Sequence, residues 1–239
     1  MGKMYVIGVG SGNYEEITIK ANNVLNSSDF IYCDEKMAYE FKQYFNEKVI
    51  SNSYNATLER CLNAIRSVNE GKVVSILGSG DTGIYGISSI IFEQVEKFND
   101  NIDVEIIPGI TSAISGAALL GSPLTQDFAI ISLSDNLADK AMKDRIIAVA
   151  KTNFGIVFYS PCNPTHENII NAKEILLTYR SKETVVGIVS NIGNENQKVV
   201  TTTLNDLSIE DINSFTTVFV GREETYLNKV KKMVTPLYK

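Results

Sequence analysis

Glycine recurs with serine, threonine or aspartate in three short segments of this 239-residue sequence, each directly after an apolar run. The segments are residues 8–12, 78–86 and 108–112. Glycine permits positive φ and lets a bound molecule approach the backbone closely. Free backbone amides in such turns can hold a carboxylate or a ribose. We therefore expect these turns to bind a small molecule that carries such groups.

The first segment, Gly-Val-Gly-Ser-Gly, begins like a dinucleotide-binding turn. The full fingerprint needs a third glycine at position 13, where this chain has Asn13. A nicotinamide-dependent dehydrogenase is therefore disfavoured. Taken alone, the segment is equally compatible with a purely structural turn.

The second segment holds four glycines in nine residues around Asp81. A simple strand-to-helix turn does not need so many glycines, so a ligand loop is the favoured interpretation. Asp81 would then accept hydrogen bonds from hydroxyl or amine groups, or it would cap the following helix. In the third segment, Thr111 caps a helix, contacts the ligand, or does both.

The elements around these turns alternate between strands and helices. Apolar runs predict strands, and apolar residues at helical spacing predict helices. The alternation indicates an α/β fold with a mostly parallel sheet, and ligands bind such sheets at the carboxyl edge. The predicted strands are residues 4–9, 29–33, 72–77 and 102–107, and the predicted helices are 15–25, 37–45, 56–68, 84–98 and 111–120.

The second half of the chain differs in pattern. Residues 121–127 have the composition of a connector, and strands are predicted at residues 128–133, 154–159, 184–189, 198–203 and 215–220. Turn residues at 191–196 lie between β-branched runs, which indicates an antiparallel hairpin. We therefore expect two α/β domains, residues 1–121 with a mostly parallel sheet and residues 122–239 with a mixed sheet.

Composition excludes several classes of function. With 22 basic and 28 acidic residues, the chain lacks the basic surface that a nucleic-acid partner requires. No apolar run reaches the roughly 20 residues of a membrane span, and the first residues do not resemble a signal peptide. A cytoplasmic location is expected, without a membrane partner.

Cysteine and histidine indicate no resident metal. The cysteines, Cys33, Cys61 and Cys162, are odd in number and widely spaced, which argues against disulfides and zinc. The helical spacing around Cys61 indicates a core position. His166 has the spacing of half a metal site with Cys162, without a second half. A solvated loop histidine is the favoured interpretation, with an axial ligand to a metal ion carried by a substrate, or an acid, as alternatives.

Taken together, the three turns resemble those of the tetrapyrrole methylases in order and spacing, over nearly the whole chain. The shared features are residues 8–12 followed by Thr18, the Gly-Ser-Gly-Asp turn with Tyr85 and Gly86, and residues 107–112. More specific segments resemble the precorrin-3 C17-methyltransferases, whose substrate exists with and without cobalt. These segments are residues 79–86, 128–135, 186–191, 201–204 and 233–236.

The resemblance implies methyl transfer from S-adenosyl-L-methionine, leaving S-adenosyl-L-homocysteine, to C17 of a precorrin in cobalamin biosynthesis. Ring contraction would accompany the transfer, and cobalt would enter only as part of the polycarboxylate tetrapyrrole substrate. A homodimer and a cofactor cleft between the two domains are also implied. The implied cofactor-binding residues are Ser11, Ser79, Gly80, Asp81, Ile84, Tyr85, Thr111, Ser112, Tyr159, Ser160, Asn191, Gly193 and Thr216.

Ring contraction requires proton transfer, for which Asp34, Asp81, Tyr85 and His166 are the candidate catalytic residues. Two positions depart from the family pattern. Ser11 stands where the family has proline. Asp34 stands where a related enzyme, uroporphyrinogen methyltransferase, has an aspartate base. The C17 enzymes instead have a tyrosine near that position. The alternatives are a precorrin-4 or precorrin-2 methyltransferase and a non-catalytic tetrapyrrole-binding protein.

Overall fold

The computed structural model describes residues 2–11, 13–98, 101–134, 139–162 and 166–237. The chain divides into two compact units, residues 1–111 and 112–239. The domain boundary expected at residue 121 falls inside the second unit, at the end of its first helix. Gly12, Asp135 and residues 163–165, which belong to the sequence motifs, lie outside the described residues.

The first unit is a five-stranded parallel sheet in the order β3-β2-β4-β1-β5. Side chains of β1 alternate between two cores: Met4 and Val6 pack on one face, and Ile7 on the other. Burial on both faces explains why its strands read as continuous apolar runs. The strands are β1 Lys3–Gly8, β2 Phe30–Asp34, β3 Val49–Asn52, β4 Val73–Gly78 and β5 Asp103–Ile107.

Four α-helices cover this sheet. Side chains of α1 and α2 belong to the core on one face, and those of α3 and α4 to the core on the other. Thr18 caps α1, because its Oγ1 accepts a hydrogen bond from the backbone N of Ala21 at 3.1 Å. The helices are α1 Ile19–Ser27, α2 Glu35–Phe45, α3 Thr57–Asn69 and α4 Ser88–Lys97, and a 3₁₀ helix Tyr14–Glu16 precedes α1.

Two helix predictions were wrong at their starts. The helix predicted at 15–25 is divided, because Thr18 has the extended backbone of an N-cap. The helix predicted at 84–98 begins only at Ser88, because Tyr85 has a φ of +51°, which an α-helix does not accommodate. The prediction that Cys61 lies in the core is confirmed, since it is fully buried.

The second unit has a five-stranded mixed sheet in the order β10-β9-β11-β8-β7. Helix α5 packs on one face of this sheet, and α6 and α7 pack on the other. The predicted hairpin is confirmed, since β9 and β10 pair antiparallel. The elements are α5 Ser112–Leu120, β6 Gly121–Ser122, β7 Phe128–Ser132, α6 Asp139–Ala150, β8 Gly155–Tyr159, α7 Glu167–Tyr179, β9 Val185–Ser190, β10 Lys198–Thr203, β11 Thr216–Val220, β12 Tyr226–Leu227 and β13 Met233–Val234.

A small three-stranded sheet, β12-β13-β6, pairs the last two strands of the second unit with β6 near its beginning. Thr235 Oγ1 donates to the carbonyl oxygen of Pro123 at 2.8 Å, and Lys232 Nζ donates to the carbonyl oxygen of Leu119 at 2.6 Å. None of the helices in the described ranges has the length and apolar character of a membrane span.

Candidate functional site

The three glycine-rich turns meet at the carboxyl edge of the first sheet. Strands β4, β1 and β5 are neighbours and end in register, with Gly8 opposite Gly78 and Ile7 opposite Ile107. The first two turns are joined directly. Gly10 N donates to Gly80 O at 3.1 Å, and Gly80 N donates to Gly10 O at 2.6 Å. The sequence-based expectation that these turns share one sheet edge is therefore confirmed.

Three glycines bring the backbones of these turns into contact. A Cβ on Gly8 would lie 2.6 Å from both Gly109 N and Gly80 O. A Cβ on Gly109 would overlap the backbones of Gly8 and Gly80. No side chain fits at Gly8 or Gly109 without displacing the backbone. We call the contact of Gly8, Gly80 and Gly109 the glycine junction.

Asp81 connects the second turn to the third. Its Oδ1 accepts a hydrogen bond from Gly83 N at 2.9 Å, and its Oδ2 accepts one from Gly109 N at 3.0 Å. Helix α4 begins later, with Ile87 as its N-cap, so Asp81 does not cap it. The carboxylate instead orders the loop on which the cofactor contacts are predicted.

The rest of the second turn carries local strain. Tyr85 combines a φ of +51° with a 62% exposed side chain. Ile84 is 38% exposed, and Ser79 is also exposed. Thr82 Oγ1 and Ser88 Oγ are buried and have no hydrogen-bond partner among the residues that the structure describes. Positive φ at a non-glycine residue and unpaired buried hydroxyls cost free energy, and such costs concentrate at functional loops.

The first turn is hydrogen-bonded to an acidic residue, Glu16. Ser11 Oγ donates a hydrogen bond to Glu16 Oε2 at 2.8 Å, and Ser11 N donates to the same oxygen at 3.4 Å. Glu16 is not among the residues predicted from the sequence. A carboxylate five residues after the serine of a glycine-rich turn is the signal that could have identified it.

Asp34 ends β2, which pairs with β4 in the same sheet, so it lies at the same edge as the three turns. It is 3% exposed, and its Oδ1 accepts a hydrogen bond from Met37 N at 2.9 Å, which caps α2. Its Oδ2 accepts no hydrogen bond from the residues that the structure describes. Burial, followed by the charge of Asp34, raises the pKa of the Cys33 thiol to about 12.

The predicted residues of the second unit also share one sheet edge. Strands β8 and β9 end there, at Tyr159 and Ser190, and the antiparallel strand β11 begins there, with Thr216 opposite Ser190. The residues that follow β8 and β9, Ser160 and Asn191, have φ values of +50° and +53°. In the turn after Asn191, Gly193 has a φ of +74°. The residue directly after each of these strands therefore has a left-handed backbone conformation.

Two hydroxyl groups at this edge hold the backbone around them. Tyr159 Oη accepts a hydrogen bond from Ala113 N at 2.9 Å. Ala113 directly follows the predicted residues Thr111 and Ser112 in the sequence. Thr111 is 6% exposed. Thr216 Oγ1 lies 2.7 Å from Ser190 Oγ and accepts a hydrogen bond from Asn213 N at 2.8 Å. Thr216 is buried, so its hydroxyl is already engaged within the protein.

His166 is the N-cap residue of α7, the helix that follows β8, and has a φ of +60°. Its Nε2 is 3.2 Å from the carbonyl oxygen of Ile212. The neutral tautomer with a hydrogen on Nε2 donates to that carbonyl. Among the described residues, no group of three His, Cys, Asp or Glu side chains could hold a metal ion.

Comparison with known sequences shows which proteins this chain resembles. Residues 3–208 match the family model of the Tetrapyrrole (Corrin/Porphyrin) Methylases. The chain is 35% identical to the cobalt-factor III methyltransferase of Priestia megaterium, over 98% of this chain and 45% of that protein. It is 34% identical to a probable cobalt-factor III C(17)-methyltransferase of Salmonella typhimurium, over 97% of each chain. A protein of the same description from Methanocaldococcus jannaschii is 32% identical, over 98% of this chain and 96% of that protein.

Solved structures agree with this result. The methyltransferase CobJ is 25% identical and superimposes with a TM-score of 0.90, over 99% of this chain and all of that one (100%). The cobalt precorrin-4 methyltransferase CbiF has a TM-score of 0.75 at 21% identity, over 92% of this chain and 94% of that one, and shows the shared fold. The chain spans less than half the length of the Priestia protein but nearly all of the Salmonella protein.

Proposed function

This chain belongs to the tetrapyrrole methylase family, and we propose that it methylates C17 of a cobalt-containing precorrin in cobalamin biosynthesis, with S-adenosyl-L-methionine as the methyl donor. The observation that carries the proposal is the 34% identity to a probable cobalt-factor III C(17)-methyltransferase over 97% of both chains. The names of such relatives favour the cobalt-bearing substrate over the metal-free one. Ring contraction is part of the proposed reaction.

The carboxyl edge of the first sheet fits the proposed cofactor. It offers glycine-lined backbone, with Gly10 and Gly80 at φ values of +64° and +63°, to which an amino-acid group or a ribose can approach closely. When bound, S-adenosyl-L-methionine supplies a methyl group that its sulfonium has already activated. The proposed contacts from this edge are Ser11, Ser79, Gly80, Asp81, Ile84, Tyr85, Thr111 and Ser112.

The edge of the second sheet is the other part of the proposal. Tyr159, Ser160, Asn191, Gly193 and Thr216 are assigned to the same cofactor on the family resemblance. Three of them carry positive φ, which supports a role for their backbone in ligand contact. In this proposal they hold the methyl donor in line with the tetrapyrrole carbon that it methylates. Positioning supplies most of the rate acceleration of methyl transfer, because the methyl donor is already activated.

Ring contraction needs a group that can accept and return a proton. Asp81 has both oxygens engaged by backbone amides, and His166 is engaged by the carbonyl oxygen of Ile212. Tyr85 remains a candidate because its side chain is largely exposed. Asp34 is the carboxylate that we propose for proton transfer, since only its Oδ1 is engaged by the described residues and it lies at the edge of the glycine turns.

The family resemblance also supports a homodimer in the cytoplasm. Sedimentation of the purified protein at micromolar concentration, with and without cofactor, tests the oligomeric state. A monomer under both conditions would contradict the dimer but leave the proposed reaction intact.

The decisive experiment combines binding with product analysis. Calorimetry with S-adenosyl-L-homocysteine should show binding to the folded protein. Incubation with methyl-labelled cofactor and early precorrins, with and without cobalt, should place the label on C17. Label on C11 or another carbon would instead identify a different methyltransferase of the family. Tetrapyrrole binding without methyl transfer would favour a non-catalytic binding protein.

A further inference from the structure

A carboxylate contacts the first glycine-rich turn. Gly10 has a φ of +64°, and glycine leaves the backbone conformationally free. Ser11 carries the first polar side chain of the turn. Its hydroxyl and its backbone N–H both point to Glu16 Oε2, at 2.8 and 3.4 Å. One carboxylate oxygen therefore accepts from both hydrogen-bond donors of this residue.

Glu16 is itself well fixed. It ends the 3₁₀ helix Tyr14–Glu16, where Asn13 Oδ1 accepts a hydrogen bond from Glu15 N at 3.0 Å. Glu16 N donates to the carbonyl oxygen of Asn13 at 3.1 Å. A Cβ on Gly10 would lie 3.4 Å from both Cβ and Oε2 of Glu16, so the side chain packs beneath the turn. Glu16 therefore contacts the turn both by hydrogen bonds and by packing.

We infer that Glu16 is a positioning residue for the cofactor turn, an inference that rests on the proposed function. A serine hydroxyl has one hydrogen to donate and two lone pairs to accept with. Because the hydrogen of Ser11 goes to Glu16, Ser11 Oγ presents only an acceptor to a ligand. Glu16 thus determines both the shape of the turn and the hydrogen-bonding character of its serine.

The test compares Glu16→Ala with Glu15→Ala, because Glu15 is the adjacent, exposed carboxylate. Glu16→Ala should weaken binding of S-adenosyl-L-homocysteine roughly tenfold, as expected for loss of a charge-assisted hydrogen bond. In the methyl-transfer assay, KM for the cofactor should rise by about the same factor, while kcat at saturating cofactor stays within about twofold. Glu15→Ala should match the unchanged protein in both measurements.

Two further variants separate positioning from folding. Glu16→Gln keeps an acceptor oxygen and should restore affinity to within about threefold of the unchanged protein. Ser11→Pro in the Glu16→Ala background should recover only the part of the affinity that depends on the shape of the turn, because proline restrains φ but removes the hydroxyl acceptor. Melting temperatures without cofactor identify any variant that is merely unfolded.

The outcomes distinguish this inference from the proposed function. If the unchanged protein binds no cofactor, the proposed function fails. If it binds and Glu16→Ala binds equally well, the positioning role is overturned. It is also overturned if Glu16→Gln is as impaired as Glu16→Ala while both stay folded. Should Glu16→Ala fail to fold, Glu16→Gln is measured with and without Ser11→Ala. Any loss of affinity that Glu16→Gln causes should shrink when Ser11 lacks its hydroxyl, and an equal loss in both backgrounds overturns the positioning role.

Discussion

Asp81 Oδ2 accepts a hydrogen bond from the backbone N of Gly109 at 3.0 Å, although 28 positions separate the two residues in the sequence. The other oxygen of Asp81 accepts from Gly83 N within its own turn. Two turns that are expected to bind one ligand are thus held together by hydrogen bonds within the protein. Such preorganisation lowers the cost of ordering the loops on binding.

Asp81→Asn should therefore affect the free protein as well as the complex. An asparagine amide group would place a donor against one of the two backbone N–H donors. We expect a loss of about 1–3 kcal/mol of unfolding free energy without cofactor and weaker binding of S-adenosyl-L-homocysteine. Chemical denaturation and calorimetry measure the two effects. Asp127→Asn, at an exposed carboxylate, is the control. Lost binding with unchanged stability would instead mean that Asp81 contacts the ligand directly.

The glycine junction should not tolerate a methyl group. Gly109→Ala would force a Cβ into the backbones of Gly8 and Gly80, and we expect it to lower the unfolding free energy by roughly 2–4 kcal/mol. Gly155→Ala is the matched control, because its Cβ would lie 3.4 Å from Phe128 Cβ, an ordinary contact, and it should change stability by less than about 1 kcal/mol. Equal urea midpoints for the two variants would contradict the close contact at the junction.

Glu105 should make stability sensitive to acid. Hydrogen bonds from Lys20 and Lys3, at 2.6 and 2.9 Å, lower its pKa from 4.5 to about 2. Because the folded protein holds the carboxylate ionised, this stabilisation is complete above pH 4.5 and is lost as the pH falls from 4.5 towards 2.

Acid titration of the melting temperature checks this effect. Glu105→Gln should show a shallower loss of stability over the same range, and added salt should reduce the difference, because the ion pairs are exposed to solvent. Identical acid profiles for the two proteins at low salt would show that these ion pairs contribute nothing measurable.

The cysteines should differ in reactivity. Burial raises the pKa of Cys33 to about 12 and that of Cys61 to about 11, so neither forms thiolate readily at about pH 8. Cys162 is partly exposed. We expect a thiol reagent to modify Cys162 first in the folded protein and all three after denaturation, as counted by mass spectrometry. Fast labelling of Cys33 would indicate that β2 opens locally.

Apolar patterning predicts much of this fold, for a physical reason. Strands buried on both faces are nearly continuous runs of Val, Ile and Leu, as in β4, and short glycine turns mark where they end. The prediction of two α/β units, the first parallel and the second mixed, is confirmed. Patterning fails at Val49–Asn52, an edge strand with only two apolar residues, and at residues 84–87, where a turn carries apolar side chains.

The candidate site was only partly accessible from the sequence. Glycine spacing predicts that the three turns share an edge, because the carboxyl ends of parallel strands meet. It does not predict that Asp81 bonds to Gly109 or that Ser11 bonds to Glu16, since those contacts depend on the relative position of loops after the chain has folded. The positive φ of Tyr85, Ser160 and Asn191 was likewise invisible, because none of them is glycine. The cofactor contacts assigned to these residues stay predictions.

The glycine junction also constrains how the sequences of the three turns can evolve. Gly8, Gly80 and Gly109 touch through backbone alone, so a change in the length or path of one turn alters the space available to the other two. The three turns should therefore be inherited together. A chimera that takes one turn from a distant relative should fold poorly, and a chimera that takes all three should recover, even though the exchanged segments lie about 30 and about 70 residues apart along the chain.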